Sequence, residues 1–145
     1  MAVWQIQFFI VKGSNLTTEK RKPEDILIWG DTPLDGNSLL KLSKLLHRKK
    51  SWSDEIVLYG NEEESCLELF YEETVLSEIS CRIDVRNVTI KILKGIIDFI
   101  VINNAKIFIN NVYYPPTLEN LVLIIKNSDA YKFCEDPSKF LDQRA

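Results

Sequence analysis

Between Glu55 and Arg86 three stretches of strand character follow one another with only short turns between them. Residues 55–59 end at Gly60-Asn61, and residues 66–71 and 74–86 are joined by a tight turn at Glu72-Glu73. Neighbours linked so briefly leave no room for a helical crossover, so they pair antiparallel. The longest stretch alternates cleanly. Val75, Ile79, Cys81, Ile83 and Val85 fall on one face, and Glu78, Arg82, Asp84 and Arg86 on the other, the period of a strand with unlike sides.

The flanking sequence adds strands and helices at unequal spacing. Residues 4–11 alternate Trp4, Ile6, Phe8 and Ile10 with Gln5, Gln7, Phe9 and Val11, and both sets turn apolar toward the end, as in a strand inside a sheet. A long connection from Gly13 to Asn37 is broken by a possible short strand at residues 26–29. Leu39, Leu42, Leu45 and Leu46 then recur at helical spacing, with Asn37 or Ser38 as N-cap and Arg48-Lys49-Lys50 closing the helix at its negative end. A second helix, capped by Asn87 or Thr89, runs to about Asn103 and is apolar nearly all round, so it is expected to be largely covered. Residues 106–109 give a further strand. Thr117 caps a third helix whose inner stripe is Leu118, Leu121, Ile124 and Ile125, and Asp136-Pro137 open a last short one. The order β-α-β-β-β-α-β-α-α makes an α+β protein, a single domain over residues 1–145 with a mainly antiparallel sheet of about five strands and three to four helices.

Charge is distributed far less evenly than the total suggests. Residues 1–50, 51–81 and 82–145 carry net +4, −9 and +2, which make up the −3 of the whole chain. The middle segment holds nine acidic side chains and no Lys or Arg. A local field of one sign bears on partners. It disfavours direct nucleic-acid binding, because phosphate contacts require positive charge. Negative charge on a hairpin also discourages edge-to-edge sheet pairing, and that reading stands beside the docking one.

Residues that would signal catalysis or a cofactor are sparse. His47 is the sole histidine and lies at a basic helix end, where it reads as a surface residue. Cys66, Cys81 and Cys134 are odd in number and widely spaced, which suggests buried reduced thiols and no metal or redox pair. No phosphate-cradling glycine motif occurs. Neither a cofactor nor a metal is expected, nor an enzyme. The strongest polar constellation is Arg82-Asp84-Arg86, three side chains on one strand face, where Asp84 between two guanidiniums would be held ionised. Trp29, Trp52, Tyr113 and Tyr114 fall in or beside loops, as core lids or interface anchors. The N-terminus lacks a basic region and a cleavage site, and no apolar run reaches the length of a membrane span. A cytoplasmic protein with no membrane partner is expected, and Ile, Lys and Asn usage suits an AT-rich bacterial genome.

Trp4-Gln5, Ser51-Trp52-Ser53 before a strand ending Tyr59-Gly60, the run Ile79-Ser80-Cys81-Arg82-Ile83-Asp84-Val85-Arg86, and Phe133-Cys134-Glu135-Asp136-Pro137-Ser138-Lys139-Phe140-Leu141 span most of the chain. With the acidic middle, they resemble the small bacterial immunity proteins of interbacterial toxin systems, without pointing to one subfamily. The resemblance implies a protein that sequesters a cognate basic toxin domain, such as a nuclease, and a monomer or homodimer is expected. Trp52, Asp54, Glu62, Glu63, Glu64, Glu68, Glu72, Glu73 and Glu78 are the residues placed to meet it. A small ligand-binding or enzymatic domain, holding an anionic metabolite on Arg82, Asp84 and Arg86, is the competing expectation. A structural subunit of a larger assembly is the third.

Overall fold

A computed structural model of the chain describes residues 1–13, 29–30 and 32–135. Its centre is one antiparallel sheet of seven strands in the order β2-β3-β4-β5-β1-β6-β7. In chain order these are β1 Gln5–Lys12, β2 Arg48–Lys49, β3 Ile56–Gly60, β4 Cys66–Glu72, β5 Val75–Asp84, β6 Ala105–Ile109 and β7 Val112–Tyr114. The described helices are α1 Gly36–Leu45, α2 Ile90–Ile102, α3 Leu118–Lys126 and α4 Asp129–Glu135. The α+β class and antiparallel sheet follow the sequence; the sheet has two strands more than expected.

Both additional strands have physical causes. Asn110 and Asn111 take φ of 52° and 62°, the left-handed pair that a two-residue hairpin turn requires and that Asn tolerates. The chain therefore reverses between Ile109 and Val112, and Tyr113 and Tyr114 lie in a strand instead of a loop. Arg48 and Lys49 do not close the first helix. They form β2, opposite Tyr59 and Leu58 on the edge of β3, and the Arg48 guanidinium lies 5.8 Å from the Tyr59 ring centroid.

Helix starts obey side-chain capping. The Asp35 carboxylate accepts the Ser38 N–H at 2.8 Å, so α1 begins before the expected Asn37 or Ser38, with Ser38 inside the first turn. Thr89 and Thr117 cap α2 and α3 by accepting from Ile92 and Asn120. Helix α2 is less covered than its composition implies: Leu93, Ile96, Ile97, Phe99 and Ile100 are buried, whereas Ile90, Val101 and Ile102 are exposed. Helix α4 was not expected. The helix start at Asp136-Pro137 and all but Trp29 of the expected strand at residues 26–29 lie outside the described residues, and Trp29 itself is not in a strand. Trp29 is fully buried, and its indole N–H donates to the Ile10 carbonyl at 2.9 Å.

The helices pack on one sheet face. Ile6, Phe8, Ile10, Leu67, Leu69, Ile79, Cys81, Ile83 and Ile107 join the helix residues Leu42, Ile96, Phe99, Ile100 and Leu121 in a single cluster. Val75, expected on this face, is exposed, and Leu76 replaces it. The register shifts between Phe70 and Tyr71, whose partners are Glu78 and Leu76, so Ser77 is an extra residue that inverts the alternation beyond it. The Ser77 hydroxyl donates to the Phe70 carbonyl at 2.9 Å across this bulge. No described helix is long and apolar enough to cross a membrane.

Candidate functional site

The second sheet face, opposite the helices, carries the polar residues that the alternation of β5 indicated. Register places Leu58, Glu68, Ser80, Phe9, Phe108 and Tyr113 in one row across six strands. Cys66, Arg82 and Gln7 form the next row, followed by Asp84 and Gln5. Gln7 donates to the Ser80 hydroxyl at 2.8 Å.

At the Asp84 end of this face, the turn of residues 61–65 between β3 and β4 is fastened to the sheet by its main chain. Gln5 Nε2 donates to the carbonyls of Glu62 at 2.9 Å and Glu64 at 2.6 Å. The Trp4 indole N–H donates to the Glu63 carbonyl at 2.9 Å, and Arg82 Nη1 to the Glu62 carbonyl at 3.2 Å. Gly60 starts this turn with φ of 92°, a conformation natural to glycine. Three consecutive carbonyls are thus held inward while the Glu62, Glu63 and Glu64 carboxylates make no ion pair among the described residues. Sequence reading picked out these carboxylates but missed Trp4 and Gln5 as the groups that position them. The only local hint was a polar Gln in an otherwise apolar strand.

The nine carboxylates of the acidic segment do not form one patch. Glu62, Glu63 and Glu64 occupy the turn at one end of β4. Glu72 and Glu73 lie at the other end, a seven-residue strand away, which is roughly 20 Å. Glu55 joins that second group, its carbonyl accepting from Tyr71 N at 2.8 Å. Asp54 precedes it, and the nearby Trp52 is 78% exposed, so Trp52 is no core lid. Between the two ends, Glu68 and Glu78 project from the second face.

Those two central carboxyls are raised above their ordinary values. For Glu68 burial is the main cause, opposed by Arg82 and reinforced by the charge of Glu62; for Glu78 burial leads and Glu68 adds. Glu68 Oε1 lies 3.3 Å from Arg82 Nη2. Among the described residues neither that oxygen nor Arg82 Nε finds a hydrogen-bond partner, so the pair is close but poorly aligned.

The Arg82-Asp84-Arg86 constellation is divided. Arg86 lies in the turn beyond β5, not on the strand face, and reaches back to Asp84 through Nε at 2.9 Å and Nη2 at 2.8 Å. Its backbone N–H adds a third bond to Oδ1 at 2.9 Å, and its guanidinium stacks 4.0 Å from the Trp4 ring centroid. Burial alone would raise the Asp84 carboxyl, but the bonds and charge of Arg86 outweigh it and hold it low. Asp84 is therefore held by one guanidinium, since Arg82 turns to Glu68 and the acidic turn. Both arginines have internal partners, and the three side chains do not converge on a shared pocket.

Among the described residues no group of three His, Cys, Asp or Glu side chains is placed to hold a metal ion. No protein-family model matches this chain, and neither the curated proteins nor the solved structures give a match.

Proposed function

We propose that the protein is a binding module that docks a basic protein partner through the acidic turn of residues 62–64, in the manner of an immunity protein neutralising a cytotoxic toxin domain. The observation that carries this reading is the clamping of the turn. Carboxylates on a main chain already fixed by Trp4, Gln5 and Arg82 lose little conformational freedom on association. Their unpaired negative charge favours fast, steered encounter with a cationic surface. Trp52, with Asp54, Glu72 and Glu73 at the far end, supplies a second contact region for a partner broad enough to span the sheet.

The test is a search of the neighbouring genes for a cytotoxic domain, followed by protection of a host cell that expresses it. Wild-type protein should restore growth, and the triple variant Glu62→Lys/Glu63→Lys/Glu64→Lys should not, while keeping its thermal midpoint. Association of the purified pair should slow steeply with added salt for wild type and weakly for the variant. Full protection by the triple variant would remove the turn from the docking surface.

A further inference from the structure

At the foot of the acidic turn lies a cleft of about 370 Å³, within the size range of small-molecule sites. Leu45, Leu46 and Ile92 contribute its apolar lining, and His47, Lys49, Glu64 and Asn87 contribute polar lining. Four separate pieces of chain build these walls: the end of α1, strand β2, the acidic turn and the approach to α2. The side chains of His47, Lys49, Glu64 and Asn87 make no hydrogen bond or ion pair with any described residue. Asp84 also borders the cleft, but Arg86 occupies both its oxygens. The charges of the cleft without an ion pair are thus one ammonium, on Lys49, and one carboxylate, on Glu64, whose field also reaches the Arg86 guanidinium.

We propose that this cleft binds a small zwitterion, an α-amino acid with an apolar side chain. Its carboxylate lies against Lys49 and His47, its ammonium against Glu64, and its side chain on Leu46 and Ile92. A ligand carrying one charge would strip water from both Lys49 and Glu64 while compensating only one of them. This site is independent of partner docking, apart from the Glu64 side chain that both would use.

Calorimetric titration of the full chain with leucine and phenylalanine tests the proposal. Two analogues of leucine separate the charges: 4-methylpentanoate lacks the ammonium, and isopentylamine lacks the carboxylate. Saturable binding of the amino acids is expected, weaker by about tenfold or more for either analogue, as loss of a charge-assisted hydrogen bond requires. Lys49→Ala should weaken leucine and abolish 4-methylpentanoate binding while sparing isopentylamine; Glu64→Gln should do the reverse. Both residues are exposed, and an unchanged thermal midpoint without ligand would verify that the variants fold. Absence of saturable binding at millimolar leucine or phenylalanine would overturn the proposal. So would analogues binding as tightly as leucine, or affinity that survives both substitutions.

Discussion

Gln5 and Glu64, separated by 59 positions, are joined by a 2.6 Å bond from the Gln5 amide to the Glu64 carbonyl. The same amide nitrogen reaches the Glu62 carbonyl at 2.9 Å, so one side chain at the start of β1 ties down both ends of the acidic triplet. Gln5 is itself 4% exposed, and its Oε1 accepts from Ala2 N at 3.0 Å. The amide of a buried strand residue thereby becomes the local scaffold of a charged surface.

Replacing Gln5 with Leu keeps the size of the side chain and removes its donors. The Glu62 carbonyl would keep only the longer Arg82 bond, and the Glu64 carbonyl would lose its side-chain donor. Leaving such groups unsatisfied costs about 1–3 kcal/mol, measurable as a lower urea midpoint. Amide hydrogen exchange should rise in the 61–65 turn more than elsewhere. If exchange there matched wild type, the clamp would not be what holds the turn.

Gly60→Ala attacks the same turn from its backbone. A Cβ at this position would run into the Ser65 carbonyl and sit 3.0 Å from Cys66 Cα, and φ of 92° is strained for any L side chain. The loss should exceed the roughly 0.4–1 kcal/mol that a Gly→Ala change gains at a compatible site. The contrast is Gly36→Ala at the start of α1, where nothing lies within 4 Å of the added Cβ. That change should leave the thermal midpoint unchanged or raise it.

What the sequence disclosed, and what it hid, divides along the range of the interactions. Strands such as residues 66–71 were legible because alternation is local, and the Thr89 and Thr117 caps because a cap acts within one helical turn. The Ser77 bulge was not legible, since the alternation of β5 inverts only through its pairing with β4. Arg48 and Lys49 carry no strand signal either; the unpaired edge of β3 recruits them. The Asn110-Asn111 hairpin could have been read from residue type alone. For the site, the acidic count was visible, but its separation to opposite ends of β4 required the fold. Trp4 and Gln5 could not be linked to the turn because their contacts span 57–59 residues of sequence.

The thiols should differ sharply in reactivity. Cys81 faces the helix-covered core and Cys66 the second face, since Cys81 pairs with Leu67 and not with Cys66 itself, and both are free. Burial, then the Glu68 charge, pushes Cys66 up to about 12, and burial raises Cys81 well above its usual range. A thiolate-selective reagent at neutral pH should therefore label only the half-buried Cys134 in the native protein, and all three thiols in urea. Mass spectrometry counts the adducts. Native labelling of Cys66 at the Cys134 rate would contradict the packing of the second face.

Glu68 and Asp84, both buried on that face, should oppose each other in the pH dependence of stability. The Glu68 carboxyl is raised by burial, which Arg82 only partly offsets. The folded state then holds its proton more tightly than the unfolded chain. Stability is unaffected by this group below the ordinary glutamate range, and falls as pH rises from there through the folded value. Asp84 behaves inversely. Burial works against its ionisation but Arg86 prevails and holds it low, so its stabilisation is complete above the ordinary aspartate range and disappears as pH falls through the folded value. Glu68→Gln should accordingly raise stability at neutral pH, with the gain vanishing in mild acid. Asp84→Asn should lower stability at neutral pH, with the deficit shrinking as acid removes the same bonds from wild type. Glu78, also raised in part by the Glu68 charge, should titrate lower in the Glu68→Gln variant. Urea denaturation of wild type and both variants across acid and neutral pH measures the first two effects, and the Glu78 carboxyl chemical shift over the same range measures the third. A Glu68→Gln profile parallel to wild type would mean that this carboxyl titrates normally despite its burial.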